Sequence, residues 1–169
     1  MIVTKSPTIS YSNYYKVLDK DLAHIQITVT CLDDKISRQY EIAPSPSKRI
    51  KAIQDLQGDG FDVALRLSPL MEELMDFDKL NSLKIDKTII EFLRISSWIK
   101  DWCVKHLNYD KYTLNSKNYK HLQLEDKIRI LNKITLPNIS ICEKVPEHYD
   151  YWMKNFNPNP KDCCNLRIN

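Results

Sequence analysis

Short apolar runs rich in β-branched residues alternate along this chain with segments whose apolar positions recur every three or four residues. The stretch from His24 to Thr30 sets Ile25, Ile27 and Val29 against Gln26, Thr28 and Thr30. That period of two is the pattern of a strand. Further strands are predicted at Ile2-Val3-Thr4, from Asp62 to Leu67 with Ser68-Pro69 closing it, from Thr88 to Arg94, and from Asn138 to Cys142. Helices are predicted from Tyr11 to Leu22, after Pro46, around Trp98, Ile99, Trp102 and Val104, from Leu124 to Ile134, and from Val145 to Phe156. The best defined of these opens with Ser45 as N-cap and Pro46 in the first turn, where its missing N–H costs nothing. It buries Ile50, Ile53 and Leu56 and stops at Gly58. Ile128, Leu131 and Ile134 mark one face of a later helix, and the polar stretch from Asn108 to His121 is expected to be irregular.

Strand and helix alternate throughout, which argues for parallel strands joined by helical crossovers of right hand. The expected fold is therefore α/β: a parallel (β/α) barrel, a partial one, or an open doubly wound sheet. One α/β domain over 1–156 and a polar tail over 157–169 account for the chain.

Composition narrows the function. A length of 169 residues suits one domain, and an apolar share of 43% suits a folded one. The net charge of +3 is too mild to imply nucleic-acid binding without a concentrated patch. Only two glycines are present, Gly58 and Gly60, which excludes a Walker loop, a dinucleotide fingerprint and a kinase-type phosphate lid. No apolar run approaches the roughly 20 residues needed to cross a bilayer, and no export signal opens the chain. A cytoplasmic protein, not a membrane protein, is expected, with its five cysteines reduced.

Polar side chains recur towards the carboxyl ends of the predicted strands, where α/β folds carry their sites. Thr28, Thr30, Arg66, Ser68, Glu91, Arg94 and Cys142 are expected to line one polar pocket. The plainer reading pairs Arg66 with Glu91 and treats the threonines as good strand formers. A buried guanidinium needs several partners, which favours the pocket. Metal spacing is absent, so no metal site is expected: Cys103 and His106 supply two ligands at most, and the adjacent Cys163 and Cys164 cannot easily chelate one tetrahedral ion. Glu143, Glu147 and His148 have the chemistry of an acid and base pair, or of a solvated helix start. Lys105, His106, Tyr109, Lys111, Tyr112, Lys117, Tyr119, Lys120 and His121 interleave cations with rings, as a single-strand nucleic-acid surface does and as a solvated loop also can.

A set order of segments carries a resemblance. Val3-Thr4-Lys5-Ser6 is followed by Ile27-Thr28-Val29-Thr30, then by the segment from Tyr40 to Ile53 with its Ala43-Pro44-Ser45 and Arg49, then by Val63-Ala64-Leu65-Arg66-Leu67-Ser68-Pro69. Pro146-Glu147-His148-Tyr149-Asp150-Tyr151-Trp152, Asn157-Pro158-Asn159-Pro160 and Asp162-Cys163-Cys164-Asn165-Leu166 extend it. This order resembles radical SAM proteins of the spore photoproduct lyase-like group, often labelled DNA repair photolyases. The resemblance implies S-adenosylmethionine and a 4Fe-4S cluster in the intact protein. It places Thr28, Thr30, Ser45, Arg49, Arg66 and Ser68 near that cofactor, and Glu91, Arg94 and Cys142 near substrate. The C-x-x-x-C-x-x-C cluster motif of such enzymes is missing from these 169 residues.

The expectation is thus the C-terminal part of such a protein, inactive alone, binding no cofactor by itself, with a missing N-terminal half and nucleic acid as candidate partners. Its open sheet edges should make it self-associate. A non-catalytic binding protein reusing this half-barrel for nucleic acid or a protein partner is the alternative. A small enzyme using Glu91, Arg66 and Cys142 directly is a third.

Overall fold

A computed structural model describes residues 1–99, 107–157, 159, 161, 162 and 164. Its frame is a five-stranded parallel sheet of β1 (Ile2–Thr4), β2 (His24–Val29), β3 (Asp62–Leu70), β4 (Thr88–Phe92) and β7 (Ile139–Ile141), in that spatial order. Strand order follows chain order, so each crossover moves one place along the sheet. This is the α/β, parallel architecture that the alternation implied, in the partial-barrel form that was one of the three it left open.

One face of the sheet is continuous core. Ile25, Ile27 and Val29 lie beside Val63, Leu65 and Leu67, and all are buried. Against them packs α3 (Pro46–Gly58), whose Ile50, Ile53 and Leu56 are buried as the periodicity required. Each such side chain contributes about 1.5–3 kcal/mol on burial. The opposite face carries the polar set: Thr28 sits beside Arg66, Arg66 beside Ile89, and Ile89 beside Ser140.

Several sequence expectations need correction. The run from Tyr11 to Leu22 is not one helix. A 3-10 turn (Pro7–Ser10) capped by Ser6 precedes it, and the run itself holds a single helical turn α1 (Ser12–Tyr15) and loop. Tyr, Asn and Ser dominate its first half, and Lys16 to Asp21 offers no continuous apolar stripe to hold a longer helix on the sheet. Ser45 precedes α3 without capping it through its side chain. Asp34, on the short helix α2 (Asp34–Ser37), does so instead, accepting from Ser47 N at 3.0 Å and Ser47 Oγ at 2.6 Å. β3 runs on through Ser68 and Pro69 to Leu70.

The stretch from Asn108 to His121 is also ordered. It forms a 3-10 turn (Tyr109–Lys111) and an antiparallel hairpin of β5 (Leu114–Ser116) and β6 (Tyr119–His121). Its two turn residues, Lys117 and Asn118, both have positive φ (48° and 67°), the twist that suits a two-residue hairpin connection. Lys120 bridges back to Ile95, beyond β4, so the hairpin overhangs the carboxyl end of the sheet. α4 (Phe77–Asn81), α5 (Leu124–Leu131) and α6 (Pro146–Asn155) complete the layers. Trp102, Cys103, Val104, Lys105, His106 and Cys163 lie outside the described residues.

Candidate active site

Three polar clusters stand around the carboxyl ends of the strands. The first is built on Arg66. Because β3 places Arg66 and Ser68 on the non-helical face, both reach across to β4. Arg66 Nη1 donates to Gln26 Oε1 at 3.0 Å, and Nη2 donates to Glu91 Oε2 at 2.7 Å and Cys142 Sγ at 3.4 Å. Ser68 Oγ donates to the same Glu91 oxygen at 2.7 Å. The Arg66 side chain is 13% exposed and that of Glu91 28%, so this is a half-buried ion pair at the lip of the sheet. Burial pushes the Cys142 thiol up, by more than Arg66 beside it pulls it back. Cys142 is therefore a neutral thiol near pH 7 and not an activated nucleophile.

The second cluster forms around Arg49, which is fully buried. Its guanidinium is spent inside the protein: on the Pro44 carbonyl at 2.6 Å, the Thr28 carbonyl at 2.8 Å, and the Glu41 carboxylate. Thr30 Oγ1 lies 2.8 Å from the Tyr40 hydroxyl and donates to Glu41 at 3.4 Å. Lys5 also pairs with Glu41. Burial raises the Glu41 carboxyl, but Arg49 and Lys5 together hold it below its ordinary range. Ser45 Oγ meets Ser47 Oγ. This cluster ties the end of β2 to the loop before α3.

The third cluster lies beyond β7. Lys127 Nζ donates to Glu143 Oε1 at 2.5 Å, Trp152 Nε1 donates to Glu143 Oε2 at 3.1 Å, and His148 Nδ1 lies 3.3 Å from that oxygen and 3.1 Å from Lys127 Nζ. Burial lowers the Lys127 ammonium against the pull of Glu143. Burial raises the Glu143 carboxyl, but its bonds from His148, Lys127 and Trp152 leave it below the ordinary range. Among the described residues, His121 Nδ1 is buried with no hydrogen-bond partner. It stands 3.9 Å from Glu143 Oε1, and burial, helped by Lys127, keeps His121 below its usual pKa. Of the three residues singled out as acid and base candidates, the structure unites Glu143 and His148 and leaves Glu147 exposed.

Between the first and third clusters opens a cleft of about 720 Å³. Glu91, Cys142 and Glu143 form its floor, Lys117, Tyr119 and His121 of the hairpin one wall, and Tyr149, Trp152 and Met153 of α6 the other. Arg94 stacks over Tyr119, its guanidinium carbon 5.0 Å from the ring centre. Glu91 is matched by Arg66 and Glu143 by Lys127, which leaves Arg94, Lys117 and Lys144 to set the cleft's character as cationic with aromatic walls. A second hollow of about 710 Å³ shares Ser116, Lys117 and Tyr119 with it, so the hairpin stands between the two.

Of the residues expected in one pocket, Glu91, Arg94 and Cys142 line the cleft, and Arg66 and Ser68 bind Glu91 at its floor. Thr28 lies next to Arg66 on the same face of the sheet. Thr30, Ser45 and Arg49 stand with the second cluster. Lys127 and Trp152 were not singled out by their sequence. The signal for Lys127 was its spacing of three and four from Ile130 and Leu131, both buried. No three thiols converge for an iron–sulfur cluster among the described residues: Cys31 is buried in the core, apart from Cys142. No group of three or more His, Cys, Asp or Glu is placed to hold a metal ion there either. The residues described therefore do not fit such a cluster.

Fold and site together define an α/β partial barrel with a cleft at the carboxyl ends of its strands that is mostly apolar in lining and carries Arg94, Lys117 and Lys144 as cations. No protein-family model and no curated protein matches the chain. Among solved structures, the chain is similar to spore photoproduct lyase complexed with dinucleoside spore photoproduct, at 12% identity and a TM-score of 0.53. A variant of that lyase with bound AdoMet and dinucleoside spore photoproduct gives the same figures, and another variant gives 13% and 0.54. Each match covers 92% of this chain but 48% of the lyase. The likeness establishes the fold, and this chain spans about half the lyase's length. No helix among the described residues is long and apolar enough to cross a membrane.

Proposed function

We propose that this chain is the substrate-holding half of a radical SAM-type barrel related to spore photoproduct lyase, and that its substrate is nucleic acid. The observation that carries this reading is the cleft at the carboxyl ends of the strands, in a fold similar to a lyase solved with dinucleoside spore photoproduct. Arg94, Lys117 and Lys144 offer phosphate contacts there, and Tyr119 and Tyr149 offer stacking faces. Gln26, Arg66, Ser68 and Glu91 hold the floor in place. Any S-adenosylmethionine chemistry belongs to an assembly that also supplies an iron–sulfur cluster, and no step of it is assigned to these residues.

The absence of cluster thiols among the described residues favours a second reading, a binding protein that uses the same cleft without catalysis. Both readings predict nucleic-acid binding by this chain. The test is fluorescence anisotropy with a labelled single-stranded DNA oligonucleotide of about a dozen residues. Binding should weaken with salt at a logarithmic slope of about −2 to −3, for three or four phosphates neutralised. The double reversal Lys117→Glu with Lys144→Glu should weaken it at least tenfold and flatten the slope. Binding that is absent, or unmoved by the reversal, overturns the nucleic-acid reading. Retention of S-adenosylmethionine in equilibrium dialysis against this chain would support the barrel half over the binding protein, whereas no retention is what both readings expect of the chain alone.

A further inference from the structure

His121 ends β6 with its ring in the wall of the cleft, 6% exposed. A buried polar atom normally has a partner, yet Nδ1 of this ring has none among the described residues. A carboxylate oxygen, Glu143 Oε1, lies 3.9 Å from it, about 1 Å beyond hydrogen-bond reach. Two groups that would pair once a proton stood between them are thus held just apart. One is on the hairpin, the other beyond β7.

The surrounding charges decide when that proton arrives. From α5, Lys127 donates to Glu143 Oε1 at 2.5 Å and opposes a second positive charge. From α6, His148 is already engaged, 3.1 Å from Lys127 Nζ and 3.3 Å from Glu143 Oε2, and Trp152 donates to that same oxygen. On the hairpin, the Ser116 backbone favours the protonated ring. Tyr119 makes a T-shaped contact with His121 and carries Arg94 over its face. The other charges of the cleft wall are Glu91, Lys117 and Lys144. Burial first, and Lys127 with it, keep His121 neutral at pH 7, whereas Glu143 is held ionised well into acid. As pH falls, the acceptor is therefore in place before its donor. Lys127 and Glu143 cancel, so a proton on His121 gives the cluster one net positive charge.

We propose that His121 and Glu143 form a proton-operated clasp: when the ring takes a proton from solvent, Nδ1–H donates to Glu143 Oε1 and draws the hairpin onto the end of β7, narrowing the cleft. Histidine is the side chain suited to switching in this range. The hairpin passes the movement on. Lys120, one residue before the ring, exchanges two backbone bonds of 2.8 Å with Ile95, the residue after Arg94. Tyr119 and Arg94, both in the cleft wall, therefore follow His121. The inference goes beyond the nucleic-acid reading, and its readout needs no ligand.

The test is nitrogen-15 NMR of the full chain, titrated from about pH 8 to about pH 5. Among the four histidines, His121 is assigned through its backbone connectivities. Its Nδ1 should change from an unprotonated to a protonated nitrogen with a midpoint below 6.5. At that midpoint the backbone amides of Lys120, His121 and Lys144 should shift. The Lys120 amide donates to the Ile95 carbonyl, and its protection against hydrogen exchange, corrected for the pH dependence of exchange itself, should rise at least about threefold. His121→Gln cannot titrate and should leave these amides independent of pH across the window. A His121 ring that stays neutral throughout, a protonation that leaves the amides unmoved, a response that persists in His121→Gln, or a fall in protection as the charged ring leaves the wall would each overturn the proposal. Oligonucleotide binding that fails while the clasp responds would overturn only the nucleic-acid reading.

Discussion

The Lys127 ammonium and the Glu143 carboxylate meet at 2.5 Å between α5 and the end of β7, with the lysine side chain wholly buried. Removing one partner leaves an uncompensated charge in the interior, which costs about 3–5 kcal/mol. Lys127→Met should therefore lower the urea midpoint strongly, with an unchanged slope. The double variant Lys127→Met, Glu143→Gln should recover much of that loss, because two desolvated charges are removed together. A single variant with no effect would show that the pair is not formed in solution.

The same pair shows why part of the site was hard to read. A pattern search counts lysine as solvent-facing, so the stripe of Ile128, Leu131 and Ile134 was the natural face of that helix. The protein instead buries Lys127, Ile130, Leu131 and Ile134 and leaves Ile128 half-exposed. Arg49 hides for the same reason. The strands were legible because β-branched residues alternate with polar ones in β2 and cluster in β3 and β4. The partnership of Arg66 with Glu91 was legible because two opposite charges on neighbouring inner strands have few other choices. The hairpin of β5 and β6 was not, since its turn uses Lys117 and Asn118 and no glycine announces it.

Arg49 makes a sharper stability prediction. Its guanidinium satisfies two carbonyls and a carboxylate at the end of β2. Arg49→Met leaves all three without that donor and leaves Glu41 with Lys5 as its remaining cation, beside the hydroxyls of Thr30 and Ser37. Each orphaned buried acceptor costs about 1–3 kcal/mol. The expected loss is about 3–5 kcal/mol in chemical denaturation. Arg49→Lys should restore little, because one ammonium cannot reproduce the planar fork.

Cys142 should alkylate slowly. Its pKa is raised by burial in spite of Arg66, so the rate with iodoacetamide should climb with pH to a midpoint above the ordinary thiol value of about 8.5. Arg66→Gln removes the nearest positive charge and should move that midpoint higher still. A midpoint near 7 would instead mark an activated thiol and restore Cys142 as a nucleophile.

The acid limb of stability should depend on Glu72. Arg129 donates to both of its oxygens, at 2.5 Å and 2.9 Å, and Lys133 to one at 2.8 Å. Arg129 first, and Lys133 with it, hold its carboxyl at about 2 against the opposing effect of partial burial, where its ordinary value is 4.5. A depressed carboxylate binds its proton more readily in the unfolded chain. Its stabilisation is therefore complete above pH 4.5 and is lost as pH falls from there towards 2. The full shift would correspond to about 3 kcal/mol, but both cations are nearly half exposed, and screening reduces the expected contribution to about 1–2 kcal/mol. Glu72→Gln should remove that amount at pH 7 and little at pH 2, so the two stability curves should converge in acid. Parallel curves across that window would show that Glu72 titrates normally and that the bridge to Arg129 and Lys133 contributes nothing.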